Sequence, residues 1–249
     1  MSPNKTLENL KILLVEDEAF VRKVNSHVLA GLTGQKILEA DSARNAIGIL
    51  NKQSVDLVIT DIQMPEMNGL ELMKEVRCGR TKAPAELPML VITSYSNTEV
   101  LGSSMGLDVN GFLVKPISSK NAMEKINIAI RERVKLRNVM VYERVITNLD
   151  SLSDGASPVK PEPKQVNASI TISPVGKEES ALAIEGVKVP ITQLKPGMTL
   201  VSALHSRDGV ILLTSGQLLN EQLINRVKEL QKLVDDKELL VLLPEDPAA

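Results

Sequence analysis

From Lys11 to about Leu149, short apolar runs alternate with amphipathic segments of helical period. The runs are Lys11–Val15, Lys36–Glu39, Leu57–Thr60, Met89–Thr93 and Phe112–Val114. Most are rich in Val, Ile or Leu, are too short for helices and lack a clean polar alternation. That is the pattern of strands buried on both faces of a parallel sheet. Between them, helical patterns span roughly Phe20–Leu32, Ala43–Lys52, Leu70–Val76 and Thr98–Met105, and a fifth begins near Ser118, just after Pro116. Strand–helix units in this order wind right-handedly and put helices on both faces. The expected fold is α/β, with a five-stranded doubly wound parallel sheet in a first domain over residues 1–133.

With 2% aromatic residues and no Trp, the cores must be built from Val, Ile, Leu, Ala and Met. A net charge of −2 argues against a polyanion binder, which usually shows a basic stripe. The lone cysteine, Cys78, rules out an internal disulfide and suits a reducing cytoplasm. The first residues, MSPNKTLENLK, lack the apolar core of a signal peptide. No apolar run reaches the ~18 residues that span a bilayer, so the chain is expected to be cytoplasmic. His27 and His205 stand alone, which leaves no histidine-rich metal site.

Polar residues end the strands. Glu16 and Asp17 follow the first run, Asp61 the third, Thr93 ends the fourth, and Lys115 follows the fifth. In an open α/β sheet these positions crowd at one edge, where such folds bind ligands. A single strand-end Asp is most simply a helix cap. Five polar residues of complementary type on four strand ends are something else. Three carboxylates in one small space repel unless a cation sits among them. Hard oxygen donors of this kind select Mg²⁺, which takes one or two carboxylates plus a phosphate oxygen. A carboxylate can attack a phosphoryl group to give an aspartyl phosphate, and a metal and a lysine can neutralise the developing charge.

The segments KILLVEDE, VITDIQMPEMNG, VITS and NGFLVKP, in that order, resemble the bacterial two-component response regulator receiver family. The resemblance covers about half the chain. It implies a flavodoxin-like receiver in which Asp61 accepts a phosphoryl group from a histidine kinase or phosphotransfer protein. It also implies that Glu16, Asp17, Asp61 and the backbone carbonyl of Gln63 hold Mg²⁺. Thr93 would hydrogen-bond the phosphoryl group, Lys115 would pair with it, and Thr93 and Phe112 would act as the switch pair. The Lys115–Pro116 peptide would be cis. Glu16 stands where many members of the family have Asp. Glu66 and Asn68 lie close enough to influence how water reaches the site.

From Lys125 the sequence KINIAIRERVKLRNVMVYERVITNL runs without Gly or Pro. Ile130, Val134, Val141, Val145 and Leu149 fall within about 100° of helical arc. The fifth helix is therefore expected to extend through residues 134–149. It would either pair with a second copy in a homodimer or fold back on its own domain. Residues 150–186 shift to Ser, Pro, Gly and charge and read as a flexible linker.

Residues 187–249 are expected to form a second, small β-rich α+β module. Turn signals at Pro196-Gly197, Asp208-Gly209 and Ser215-Gly216 separate expected strands at Thr199–Ala203, Val210–Leu213 and Gln217–Leu219. Asn220 caps an expected helix over roughly Glu221–Val234, and Leu239–Leu243 is an expected last strand. The run ITQLKPGMTLVSAL…DGVILLTSGQLLNEQLINRVKEL resembles the small domain that precedes the catalytic part of HD-GYP cyclic-dinucleotide phosphodiesterases. The sequence contains neither a His-Asp pair nor Gly-Tyr-Pro, so that resemblance implies an interaction module and not a hydrolase.

The chain is thus expected to be a phosphorelay response regulator whose output is protein binding by the C-terminal module. Its only chemistry would be phosphorylation and dephosphorylation of its own Asp61. The alternatives are a DNA-binding transcriptional regulator and a regulator of cyclic-dinucleotide signalling. Residues 187–249 carry seven Lys and Arg against eight Asp and Glu, and no basic recognition helix stands out, which disfavours nucleic acid.

Overall fold

The computed structural model describes residues 7–94, 98–132, 134–150, 186–207, 211–234 and 236–244. Five parallel strands lie in the order β2-β1-β3-β4-β5: β1 is Ile12–Val15, β2 Leu38–Ala40, β3 Leu57–Asp61, β4 Met89–Thr93 and β5 Gly111–Val114. Every residue of β1 and β3 is buried, which accounts for the apolar runs Ile12–Val15 and Leu57–Ile59. Side chains alternate between two cores. Leu13, Val15, Val58, Val91 and Phe112 face helices α2 (Ala43–Leu50), α3 (Gly69–Arg77) and α4 (Thr98–Gly106). Ile12, Leu14, Ile59, Ile92 and Leu113 face α1 (Ala19–Thr33) and α5 (Ser119–Arg131). The sheet and its flanking helices agree with the expected doubly wound fold.

The extended fifth helix does not form. Helix α5 stops at Arg131, because Glu132 turns to extended backbone with φ −102° and ψ 111°. A separate five-residue helix, α6 (Val139–Glu143), follows, capped by the Asn138 side chain, which accepts from the Met140 amide. The apolar stripe is used against the domain itself. Val134 and Tyr142 are buried, and Val145 and Leu149 pack against the α2–α3–α4 core. Tyr142 donates to Asp108 Oδ2 at 2.7 Å, and Arg137 Nε donates to the same oxygen at 3.0 Å. From α3, Lys74 Nζ donates to the carbonyls of Glu143 and Val145 at 2.8 and 3.0 Å. These anchors pull the chain back across α3. Of the residues expected to face a second copy, Val134, Val145 and Leu149 are taken up by the domain while Val141 stays 39% exposed, and without a continuous helix they no longer form one coiled-coil stripe.

All but the two ends of the expected linker, residues 151–185, lie outside the described residues, as does the Asp208-Gly209 turn. The module that follows holds an antiparallel sheet of β6 (Val187–Pro190), β10 (Glu238–Leu242) and β7 (Thr199–Leu200), and a pair of short strands, β8 (Leu204–His205) and β9 (Ile211–Leu213). Leu218 makes only an isolated bridge to Thr199, so the strand expected at Gln217–Leu219 does not form. Helix α7 (Glu221–Glu229) is capped by Asn220, whose Oδ1 accepts from the Leu223 amide at 2.8 Å, and it passes into a 3₁₀ turn at Gln231–Leu233. The module is seated on the first domain. Strand β9 packs on α4, and Leu212 and Leu213 join the same apolar cluster as Leu101 and Met105. Among the described residues no helix is long and apolar enough to cross a membrane.

Candidate functional site

The strand order reverses between β1 and β3, and their C-terminal ends therefore lie side by side. This brings Glu16 and Asp17, just past β1, against Asp61 at the end of β3. One carboxylate oxygen from each lies within 4.8 Å of the others. Glu16 and Asp61 are buried, with 2% and 6% of their surface exposed, whereas Asp17 is exposed. From just past β5, Lys115 donates to Asp61 Oδ2 at 2.7 Å and stands 3.7 Å from Glu16 Oε2. Asp61 Oδ1 accepts from the Ile62 amide at 2.7 Å.

One ammonium against three carboxylates leaves an excess of negative charge. Burial raises the Glu16 carboxyl to about 7, and the neighbouring Asp61 and Asp17 add to the rise against the opposing pull of Lys115. Glu16 Oε2 has no hydrogen-bond partner. Lys115 is held above the ordinary lysine range. Burial works against its charge, but the bond to Asp61 and the nearby Glu16 outweigh it. An orphaned buried carboxylate oxygen in a set of hard oxygen donors fits a small divalent cation.

Beside this cluster lies a cavity of about 160 Å³ lined by Asp61, Ile62, Gln63, Ile92, Thr93, Ser94, Val100 and Lys115. Thr93 ends β4, and its carbonyl accepts from the Lys115 amide at 3.0 Å, so the two residues are tied by backbone. Phe112 is wholly buried in β5 in register with Val91. The Lys115–Pro116 peptide is cis, as expected. The turn after Asp61 is close-packed. A Cβ on Gly69 would come within 2.1 Å of the Asp61 carbonyl oxygen, so only glycine fits there. Asn68 caps α3 in a reciprocal box with Glu71.

The structure brings together Glu16, Asp17, Asp61, Gln63, Thr93 and Lys115. Phe112 stands apart from the cavity, on the strand leading to Lys115. Glu66 pairs with Arg44 at 3.1 Å in solvent and adopts a positive φ of 64°. Asn68 is buried and donates to the Thr147 carbonyl at 2.8 Å, so the returning segment touches the loop after Asp61. Sequence reasoning missed Arg22, whose Nη1 donates to the carbonyls of Glu16 and Asp17 at 2.7 and 3.1 Å and holds the acidic turn. Its only signal was a basic residue one turn into the helix after the acidic pair. Val100, which brings α4 to the cavity wall, had no signal.

A family model for the response regulator receiver domain matches residues 12–127. The chemotaxis protein CheY-3 of Vibrio cholerae is 33% identical over 120 residues, covering 48% of this chain and 91% of that protein. The chemotaxis protein CheY of Pseudomonas aeruginosa is 32% identical over 125 residues, covering 50% of this chain and 98% of that protein. A crystal structure of V. cholerae CheY4 aligns with 28% identity and a TM-score of 0.44, covering 48% of this chain and 98% of that one.

Proposed function

The chain belongs to the response regulator receiver family, and on that premise we propose that Asp61 accepts a phosphoryl group from a histidine kinase or phosphotransfer protein. As a member of that family it is a phosphorelay response regulator. The observation that carries the assignment to Asp61 is the buried Glu16–Asp17–Asp61 cluster, with Lys115 2.7 Å from Asp61 at the wall of the cavity.

An Asp61 carboxylate oxygen attacks the phosphorus, the bond from phosphorus to the donor breaks, and the donor leaves with that electron pair. The Lys115 ammonium passes from the Asp61 carboxylate to a phosphoryl oxygen, and the Thr93 hydroxyl donates to another. Glu16, Asp17, Asp61 and the Gln63 carbonyl would hold Mg²⁺, which when bound supplies charge neutralisation for the transferring group. The chemistry is confined to the protein's own side chain, which makes it a signalling element and not a conventional enzyme.

The curated relatives are chemotaxis proteins spanned almost entirely by the receiver half of this chain. The added module from Val187 onward supports an output through protein binding in the cytoplasm. Reading of DNA is disfavoured by the charge of the module, whose seven Lys and Arg over residues 187–249 are outnumbered by eight Asp and Glu.

The test is transfer of label from ³²P-acetyl phosphate with Mg²⁺. One acid-stable, base-labile phosphoryl group per chain is expected, absent in Asp61→Asn and in EDTA. Equal labelling of Asp61→Asn would overturn the assignment.

A further inference from the structure

One side of the receiver is occupied. Lys125 of α5 forms an ion pair with Glu229 of α7, both side chains being largely buried, and β9 lies along α4. A different surface, on the segment that returns across α3, is open among the described residues. Leu136, Val139, Met140, Val141 and Ile146 are all exposed there, although each is large and apolar. On α6 the geometry accounts for this. At 100° per residue, Met140 points about 160° away from the buried Tyr142, and Val139 and Val141 lie on either side of it. Met140 is the most exposed of the three, at 61%. Single apolar residues on a surface are ordinary, but a contiguous group of them marks an interaction site.

The charge along this ridge is of one sign. Residues 131–149 hold five Lys and Arg and two Glu, in a chain of net charge −2. The two acids are turned away from water. Glu143 bonds Arg80, which also holds Glu75, and Glu132 is half-buried with Oε2 wholly so. Arg131, Lys135 and Arg144 are exposed, and the first exposed acid after them is Asp150. Arg144 follows Met140 by four residues and keeps helical backbone, so it stands on the same outward face.

An apolar crest with long cationic side chains beside it suits an anionic lipid surface. The apolar groups enter the acyl boundary, and the flexible Arg and Lys chains keep their charged heads at the phosphates. A second copy would bring like charges together. A protein partner would have to set acids in fixed register against cations spread from Arg131 to Arg144, whereas mobile headgroups need no register. The ridge is also preformed. The bond from Tyr142 to Asp108 and those from Lys74 to the Glu143 and Val145 carbonyls hold it in place, so docking need not first order the chain.

We propose that this ridge, with Val139, Met140 and Val141 at its crest and Arg131, Lys135 and Arg144 beside it, docks the protein peripherally on anionic lipid. The contact makes no use of Asp61.

The experiment is co-sedimentation of the full chain, without any phosphoryl donor, with vesicles of phosphatidylcholine alone and of phosphatidylcholine and phosphatidylglycerol in equal parts. The mass of the protein alone is measured in parallel. Binding to the anionic vesicles is expected, with little to the neutral ones, and it should weaken by about tenfold or more between about 0.05 and about 0.5 M salt. Met140→Glu and Arg144→Glu should each weaken it by about tenfold, because each CH₂ in the acyl boundary and each cation at the headgroups strengthens binding several-fold. Both positions are exposed, so urea midpoints should stay at the wild-type value. Lys36→Glu, the same change of charge at an exposed position outside the segment, should leave binding as it was. Equal sedimentation with both vesicle types, or none with either, would overturn the proposal, as would unchanged binding by Met140→Glu. A dimer of the protein alone that Met140→Glu dissociates would overturn it too, and would give the ridge to a second copy.

Discussion

Glu16 offers a quantitative test of the site's electrostatics, best made in EDTA so that no cation intervenes. Its carboxyl is raised from an ordinary 4.5 to about 7, first by burial and then by Asp61. Well below 4.5 the group is protonated in both folded and unfolded chains. Between 4.5 and 7 the folded chain keeps a proton that the unfolded chain has lost. Stability supplied by this group is therefore present at low pH and is lost as pH rises through about 7. At 1.36 kcal/mol per pKa unit, the loss between about pH 5 and about pH 8 comes to roughly 2.5 kcal/mol.

Other groups also titrate in this range, so the measured quantity is the difference between wild type and Glu16→Gln. Urea unfolding at both pH values gives it. Glu16→Gln should gain roughly 2.5 kcal/mol on wild type from about pH 5 to about pH 8. Asp61→Asn should show part of the same gain, because it removes the second cause of the shift. Saturating Mg²⁺ should stabilise wild type at high pH and do little for Glu16→Gln, since a ligand that binds only the folded state stabilises it by mass action. A constant difference between wild type and Glu16→Gln across pH would refute the reading of Glu16 as a strained, buried carboxylate.

Three further outcomes follow from packing. Gly69→Ala would drive a methyl group to 2.1 Å from the Asp61 carbonyl oxygen and should cost at least about 2 kcal/mol in urea unfolding, with the loop after Asp61 displaced. Tyr142→Phe removes a buried hydroxyl that donates to Asp108 and accepts from the Arg137 amide, and should cost about 1–3 kcal/mol by the same measurement. Asn68→Ala breaks the capping box of α3 and the bond to Thr147. It should cost about 1–2 kcal/mol and raise amide exchange across residues 144–150.

The receiver half was legible because its strands are buried on both faces. That condition forces unbroken runs of Val, Ile and Leu, and short runs of this kind have few other readings. The site was legible for a related reason. Glu16, Asp17, Asp61, Thr93 and Lys115 interrupt apolar runs at their ends, and strand ends of one sheet must converge. The stretch after Arg131 misled because period alone cannot say which surface an apolar stripe will cover. Val134, Val145 and Leu149 keep helical spacing, yet Asp108, Lys74 and Asn68 offer partners that a continuous helix could not reach. Tertiary contacts outweigh helix propensities of a few tenths of a kcal/mol per residue. Nor could the sequence announce that Arg77 would be buried, with four hydrogen bonds to the carbonyls of Ala85, Leu87, Leu107 and Asp108.

The seating of the module was hidden for a different reason: Lys125 and Glu229 are 104 residues apart. What the structure adds there is a balance. A wholly apolar seam between the two halves would make one rigid body, indifferent to a single added charge. A wholly polar seam would leave the module untethered from the receiver's state. The observed seam combines Leu212 and Leu213 against the α4 cluster with buried atoms of Glu132, Gln222, Arg226 and Glu229 that lack partners. Each unsatisfied group of this type costs about 1–3 kcal/mol, which works against the apolar contact. Helix α4 serves two neighbours, lining the Asp61 cavity through Val100 and carrying β9 of the module on its other contacts.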